Sequence, residues 1–323
     1  MHGSRKLEIA WTVIPAVILL VLFTPTAQTI YKHAAEAAVE DGFRVDVIGK
    51  QWWWEISYPN IPANPDDPSQ GALVTANEVI LPVGANVVFS LQSNNVIHSF
   101  WVPQLSGKLD VMPGRDNRLQ FVAEKPGEYW GECAEFCGSA HAWMRFKVKV
   151  VPQDAFDAWV AAWRSPPTVD GDPETADVVE VPSAFGACLA CHRVNGTNAQ
   201  IAGQGISANP GYVEEDGTVA PGPGPNLTLL ACRDTIGAGI LKNTPENMET
   251  WLKRTDEVKE GVYMPNYYEQ GLTDEQIDEL VTYLGSLRSA DGCPGAGLPV
   301  GGEIAPEQVE ATDPNEGQSE DPQ

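Results

Sequence analysis

The chain has 323 residues, 44 of them acidic and 20 basic, for a net charge of −24. At roughly 100 to 200 residues per domain, this length calls for two cores plus linkers, and the negative charge removes the electrostatic attraction on which nucleic-acid binding rests. A basic protein partner is one use for such a charge; plain solvation of loops and tail is the other.

Residues 9–30, IAWTVIPAVILLVLFTPTAQTI, are uncharged and long enough to cross a hydrocarbon core of ~30 Å as a helix. Arg5 and Lys6 precede the run, so the positive-inside tendency puts everything after Lys32 on the outer face and makes residues 1–33 an anchor. A cleaved signal peptide is the competing reading, and both export the remainder. Export to an oxidising compartment permits disulfides among the six cysteines, which fall into pairs.

Short β-rich runs follow at 45–58, 78–81, 86–92, 118–123 and 145–151, separated by the turn signals Pro82-Val83-Gly84, Pro113-Gly114 and Pro126-Gly127. They predict a β-sandwich or barrel over 43–164, closed by a helix at 154–163. Residues 165–182, rich in Pro and acid, read as a linker with too little apolar content to pack. A second domain over 183–293 reads as helices separated by Gly and Pro loops. Its clearest element is 273–287, where Thr273 and Gln276 form a capping box and Ile277, Leu280, Val281 and Leu284 make one apolar face. Residues 294–323 are Gly, Pro and acidic residues and are expected to be disordered. No internal repeat is visible.

The stretch GECAEFCGSAHAWM, 131–144, places Cys133, Cys137, His141 and Met144 on one short loop. Thiolates with imidazole favour copper or zinc over hard cations, and a thioether, which structural zinc sites do not use, tips the choice to copper. His98, in NNVIHSFWVP on another predicted strand, supplies the further strong donor; the chain has only five histidines. Two cysteines, where a one-copper site uses one, suggest two coppers bridged by both sulfurs, an arrangement that spreads one electron over two metals and suits electron transfer. A plain disulfide between Cys133 and Cys137 is the alternative.

Downstream, Cys188-x-x-Cys191-His192 is the attachment motif of c-type haem, with His192 as proximal ligand. A thioredoxin-like redox pair would need a βαβ setting that is not seen here. The sixth ligand is expected to be Met264, in GVYMPNYY, where Pro265 stiffens the loop; Met248 is second choice because it falls in a predicted helix.

CAEFCGSAHAWM with upstream HSFWVP resembles subunit II of the haem-copper cytochrome c oxidases. CLACH, GPNLT at 224–228 and YMPNY resemble a class I cytochrome c, so the whole resembles the cytochrome-c-extended subunit II of caa-type oxidases. The resemblance implies a transmembrane helix, an all-β cupredoxin-like sandwich and an all-α class I cytochrome c domain. It implies that His98, Cys133, Cys137, His141 and Met144 are the side-chain ligands of the binuclear copper centre CuA. Glu135 would complete that centre through its backbone carbonyl and help hold magnesium against subunit I. Pro225 would accept the other ring proton of His192. In QWWW, residues 51–54, Trp52 matches the residue through which electrons enter, and Trp53 reads as a strand-core aromatic. Glu8 matches a glutamate at the mouth of a proton-uptake path, a position where interfacial solvation is the plainer use.

The resemblance further implies subunit I and other oxidase subunits as partners, and a cytochrome c or upstream respiratory complex as donor. The setting would be a bacterial inner membrane, with both metal domains on the periplasmic face. Electrons would pass from the haem to CuA and on to an oxygen-reducing subunit. A copper-bearing nitric oxide reductase subunit, a membrane-anchored copper chaperone and a soluble electron shuttle are the alternatives. The sequence departs from the family in showing one of its two transmembrane helices, and in carrying Asn95 where an acidic docking residue is common. Cys232 and Cys293 lie outside the family's motifs; a disulfide between them is expected, with two free thiols the alternative.

Overall fold

A computed structural model describes residues 3–37, 42–66, 71–164, 182–192, 194, 224–289 and 292–294. The predicted linker, apart from Pro182, and the predicted tail, apart from Pro294, lie outside these. The chain divides into two compact units, residues 1–42 and 43–323.

In the first unit, α1 (Arg5–Ala37) runs through Pro15 and Pro25 as one helix, and residues 5–32 are long and apolar enough to cross a membrane. Leu19, Leu20, Val21 and Phe23 are exposed, as a helix surrounded by lipid requires. The hydroxyls of Thr12, Thr24, Thr26 and Thr29 donate to the carbonyls of Glu8, Leu20, Leu22 and Pro25. Polar side chains thereby find partners within the helix where a hydrocarbon core offers none.

The second unit opens with ten strands: β1 (Phe43–Lys50), β2 (Trp53–Pro62), β3 (Ala72–Ala76), β4 (Glu78–Pro82), β5 (Asn86–Ser93), β6 (His98–Trp101), β7 (Leu109–Val111), β8 (Asn117–Val122), β9 (Gly127–Cys133) and β10 (Arg145–Val151). They form two five-stranded sheets, β3-β2-β1-β5-β8 and β4-β10-β9-β6-β7. The β1–β5 and β4–β10 pairs are parallel. Alternation puts Trp54, Ile56 and Tyr58 inward from one sheet and Phe100, Phe146 and Val148 from the other, all essentially buried. Trp54 meets Phe100 and Phe146 edge-on across the gap, at 5.6 and 5.4 Å. This is the expected β-sandwich. α2 (Gln153–Arg164) closes it, burying Phe156, Trp159 and Trp163; Trp159 lies edge-on to Tyr58 at 5.3 Å.

The run 45–58, read from sequence as one β-rich stretch, breaks at Gln51 and Trp52 into an antiparallel hairpin, with Lys50 opposite Trp53. No Gly, Pro or Asn marks this turn. It is held by distant contacts, because both Gln51 and Trp52 donate to the carbonyl of Cys137.

Beyond the sandwich, a 3-10 segment (Ser183–Ala190) and a shorter 3-10 turn (Leu230–Cys232) precede a small hairpin, β11 (Thr235–Ile236) and β12 (Leu241–Lys242). α3 (Pro245–Lys253), α4 (Thr255–Val258) and α5 (Asp274–Gly285) follow. Among the described residues the predicted all-α region is thus helical in part and carries a two-stranded hairpin. The Thr273 hydroxyl caps α5 by accepting from the Gln276 amide, and the Thr273 amide donates back to the Gln276 side chain to complete the capping box, worth about 1 kcal/mol. Ile277, Leu280 and Leu284 face a second apolar cluster with Phe185, Leu230, Ile240 and Leu252. Each such side chain contributes roughly 1.5–3 kcal/mol on burial. Cys232 and Cys293 are joined in a disulfide, as expected, tying the chain beyond α5 to the 3-10 turn Leu230–Cys232.

Candidate metal centre and haem pocket

The copper loop is the connection between β9, which ends at Cys133, and β10, which starts at Arg145. Its base is closed by the Cys133 amide donating to the Met144 carbonyl at 3.1 Å. A turn from the His141 amide to the Gly138 carbonyl, 3.1 Å, folds the loop back on itself. His98 begins β6, the neighbour of β9, with Phe100 opposite Cys133, so sheet register carries it to the loop.

All five expected side-chain donors converge. The sulfurs of Cys133 and Cys137 are 3.8 Å apart, far beyond a disulfide bond of about 2.05 Å, and both thiols are free. His98 Nδ1 lies 3.8 Å from the first sulfur, and His141 Nδ1 lies 3.6 Å from the second. Met144 Sδ stands 3.9 Å from Cys137, fully buried. The Glu135 carbonyl is 3.2 Å from the Cys133 sulfur, while its side chain points outward among exposed residues. The contact between the two thiols holds the Cys133 pKa far below the usual thiol range against the opposing effect of burial, and shifts Cys137 upward. Metal–thiolate bonds are roughly 2.3 Å long, so one ion reaches both sulfurs. The set of two thiolates, two imidazoles and a thioether suits copper.

The haem motif sits on a different element. Cys188 ends up buried near the end of the 3-10 segment, and the amides of Cys191 and His192 both donate to its carbonyl, at 3.1 and 2.8 Å. His192 Nδ1 donates to the Pro225 carbonyl at 2.8 Å, which leaves Nε2 for a metal. Burial lowers the His192 pKa, partly opposed by that carbonyl, favouring the neutral imidazole that ligates metal. Gly224 makes this approach possible: a Cβ there would meet His192 Cε1 at 2.6 Å.

Cys188, Cys191, His192 and Met264 line one open cavity. Arg233, half-buried, also lines it; desolvation lowers its pKa to about 10, with the charge of Glu78 opposing. A guanidinium at the cavity wall suits the propionate groups of a haem. Met248 lies in α3, as predicted, buried in the apolar cluster.

Trp52 joins the two sites. Its indole Nε1 donates to the Cys137 carbonyl at 3.0 Å, and its ring is stacked on Tyr263, next to Met264. Asn95, where an acidic residue is common in the resembling family, donates to Gln51 at 2.9 Å and borders the haem cavity. Trp53 is only partly buried, under the Lys50 ammonium at 4.8 Å, so it is not the core aromatic expected. Glu8 lies exposed in the first turn of α1, in the other unit.

Three residues at this junction went unread in the sequence. Gln51 donates to the Cys137 carbonyl and accepts from Tyr263 and Asn95. Tyr263 was legible only as an aromatic beside a methionine. Lys259, buried between Trp52 and Gly237, carries no local signal, since a lysine in an acidic helical stretch reads as a solvated charge.

The family model described as cytochrome c oxidase subunit II, periplasmic domain, matches residues 43–151, and that described as cytochrome c matches residues 179–288. Cytochrome c oxidase subunit 2 of Alkalihalophilus pseudofirmus is 35% identical over 295 residues, covering 89% of this chain and 75% of that protein. The subunit 2 of Bacillus sp. (strain PS3) is 34% identical over 303 residues, covering 89% and 76%. Among solved structures, the periplasmic domain of subunit II of cytochrome oxidase (CoxB) of Bradyrhizobium japonicum is 31% identical, with a TM-score of 0.31, covering 37% of this chain and 91% of that one. The chain belongs to the cytochrome c oxidase subunit 2 family, in a form that carries its own cytochrome c domain, and is a copper- and haem-c-binding subunit of a haem-copper oxidoreductase.

Proposed function

We propose that this chain takes electrons in for an oxygen-reducing complex through two metal centres of its own. Residues 43–164 would form the copper domain, 183–293 the cytochrome domain, and 165–182 the linker between them. Haem c on Cys188, Cys191, His192 and Met264 would accept electrons, and a binuclear copper on His98, Cys133, Cys137, His141 and Met144 would pass them to subunit I. Two unbonded thiols 3.8 Å apart, flanked by His98, His141 and Met144, carry this reading.

The protein's own part is to hold these donors still. The copper loop is pinned at both ends by β9 and β10, which would hold its ligands in one arrangement in either oxidation state. Pro225 orients His192. Trp52 bridges the copper loop and the haem cavity, the position from which an electron relay would act. Phe136, 75% exposed beside Glu135, offers an apolar contact for another subunit. Glu135 would give one hard oxygen to a magnesium ion there, the remainder coming from subunit I and water. α1 would anchor the chain in a bacterial inner membrane with both centres outside, and Glu8 would lie at the mouth of a proton path. A cytochrome c or an upstream respiratory complex is the donor this acidic surface would attract.

The test is the native complex purified in detergent. Reduced cytochrome c should drive oxygen uptake, and copper should show the electron-spin pattern of one unpaired electron shared between two nuclei. A single localised cupric ion, zinc alone, or turnover of nitric oxide in place of oxygen would overturn the reading.

A further inference from the structure

We propose that Lys259, from the cytochrome domain, is a positioning residue that seats that domain on Trp52 and, as a buried positive charge beside the copper loop, raises the reduction potential of the copper centre; this rests on the copper reading proposed above.

Lys259 is 2% exposed. Its Nζ donates to the carbonyls of Trp52, at 2.6 Å, and Gly237, at 3.0 Å, one on each side of the junction. Among the described residues no carboxylate pairs with it. Burying an ammonium without a counter-charge is expensive, and two carbonyls offset only part of that. The missing negative charge lies one residue further on. Trp52, whose carbonyl holds Lys259, donates its indole N–H to the carbonyl of the proposed ligand Cys137.

The turn that carries Lys259 lies directly on this path. Gly261 has φ +80, and a Cβ there would stand 3.1 Å from Ser139 of the copper loop and 3.2 Å from the Trp52 ring. Two residues on, Tyr263 stacks on the same indole. Lysine, turn glycine and tyrosine therefore all press on Trp52 and the loop behind it. Burial pushes the Lys259 pKa down to about 7, while the charge of Cys137 draws it up.

A cation fixed near a metal–thiolate centre favours the state holding the additional electron. At an effective dielectric of about 20, a unit charge ~10 Å away shifts such an equilibrium by roughly tenfold. The docked cytochrome domain thus completes the electrostatic setting of the copper site as well as facing it.

The test uses the full chain in detergent, loaded with copper and haem. Failure of the wild type to show a shared-valence copper signature would refute the copper reading itself, before Lys259 is considered. With that signature present, the copper potential is titrated at about pH 6, where the ammonium is charged. Lys259→Met is expected to favour the oxidised centre by about tenfold, about 59 mV for one electron, with the signature kept. Lys253→Met, which removes a surface ammonium paired with Glu249 and Asp274, should leave it unmoved. An unchanged potential in folded Lys259→Met, or an equal shift in Lys253→Met, overturns the proposal. Should Lys259→Met not fold, Lys259→Gln, which keeps a donor, is titrated in its place. Misfolding of both would make Lys259 a structural pin and likewise overturn it.

Discussion

The Tyr263 ring lies flat on the Trp52 indole, with centroids 5.7 Å apart and planes 8° from parallel. The tyrosine hydroxyl reaches past that stack to Gln51 at 3.2 Å, and Gln51 donates to the Cys137 carbonyl at 2.7 Å. An aromatic pair contributes about 0.5–1.5 kcal/mol beyond its burial, so its loss reduces close seating by up to about tenfold. Tyr263→Ala is expected to slow oxygen uptake by the assembled oxidase several-fold. Tyr263→Phe, which keeps the stack and loses only the hydroxyl bond, should stay within about twofold. Equal losses in the two variants would mean that the hydroxyl bond, not the stack, matters.

The two sulfur types of the copper loop should separate cleanly. Cys137 is within 4 Å of Cys133, His141 and Met144 together, so it alone links the two halves of the donor set. Cys137→Ser should abolish the shared-valence electron-spin pattern even where copper still binds. Met144 is a weak thioether donor, and such ligands tune potential more than affinity. Met144→Leu, close in volume, should retain bound copper and change its potential. Copper content by metal analysis alongside the spin spectrum reads both outcomes.

Legibility in the sequence followed locality. Four of the five copper donors fall within a dozen residues, and the cytochrome motif within five, so residue type and spacing were enough to bring them out. The capping box at Thr273 and Gln276 was equally local and formed as read. The hairpin at Gln51 and Trp52 was not readable, because its partners are the Cys137 carbonyl, 85 residues away, and Lys259, 207 residues away. Tyr263 and Asn95 gain their roles from the same junction. Strands β3, β7 and β9 lacked strong alternation: β7 is three residues long, and β9, GEYWGEC, carries two glycines.

The disulfide between Cys232 and Cys293 spans a separation of 61 residues, enclosing α3, α4, α5 and the Met264 loop. Closing a loop of that size removes unfolded-state freedom corresponding to about 4 kcal/mol in the chain-entropy account. The Ala231 amide also donates to the Leu287 carbonyl at 3.1 Å, so the bridge reinforces contacts already made at the exit of α5. Cys232→Ala with Cys293→Ala should lower the thermal midpoint of the cytochrome region by roughly 15 °C or more. The proposed copper ligands lie outside that loop, so copper content should be unchanged. A midpoint equal to wild type would mean that native packing alone fixes this segment.

Asp234 supplies a second kind of fastening. Its carboxylate meets Lys147 at 2.8 Å and Lys149 at 2.9 Å on β10, while its amide donates to Glu78 on β4 at 2.9 Å. Burial disfavours the charged carboxylate, but Lys149 and Lys147 outweigh that and the net shift is downward. A carboxyl group whose folded pKa lies below its unfolded value adds stability above the ordinary aspartate range, ~3.9, and loses it as pH falls through the folded value. With the side chain 39% exposed, the contribution is screened to about 1 kcal/mol. Asp234→Asn should therefore lower the unfolding midpoint at neutral pH, and the gap from wild type should close as the pH drops below the aspartate range. A gap that stays constant down to acid pH would mean that the variant loses stability for a reason other than the charge, since the backbone amide bonded to Glu78 is kept in Asp234→Asn.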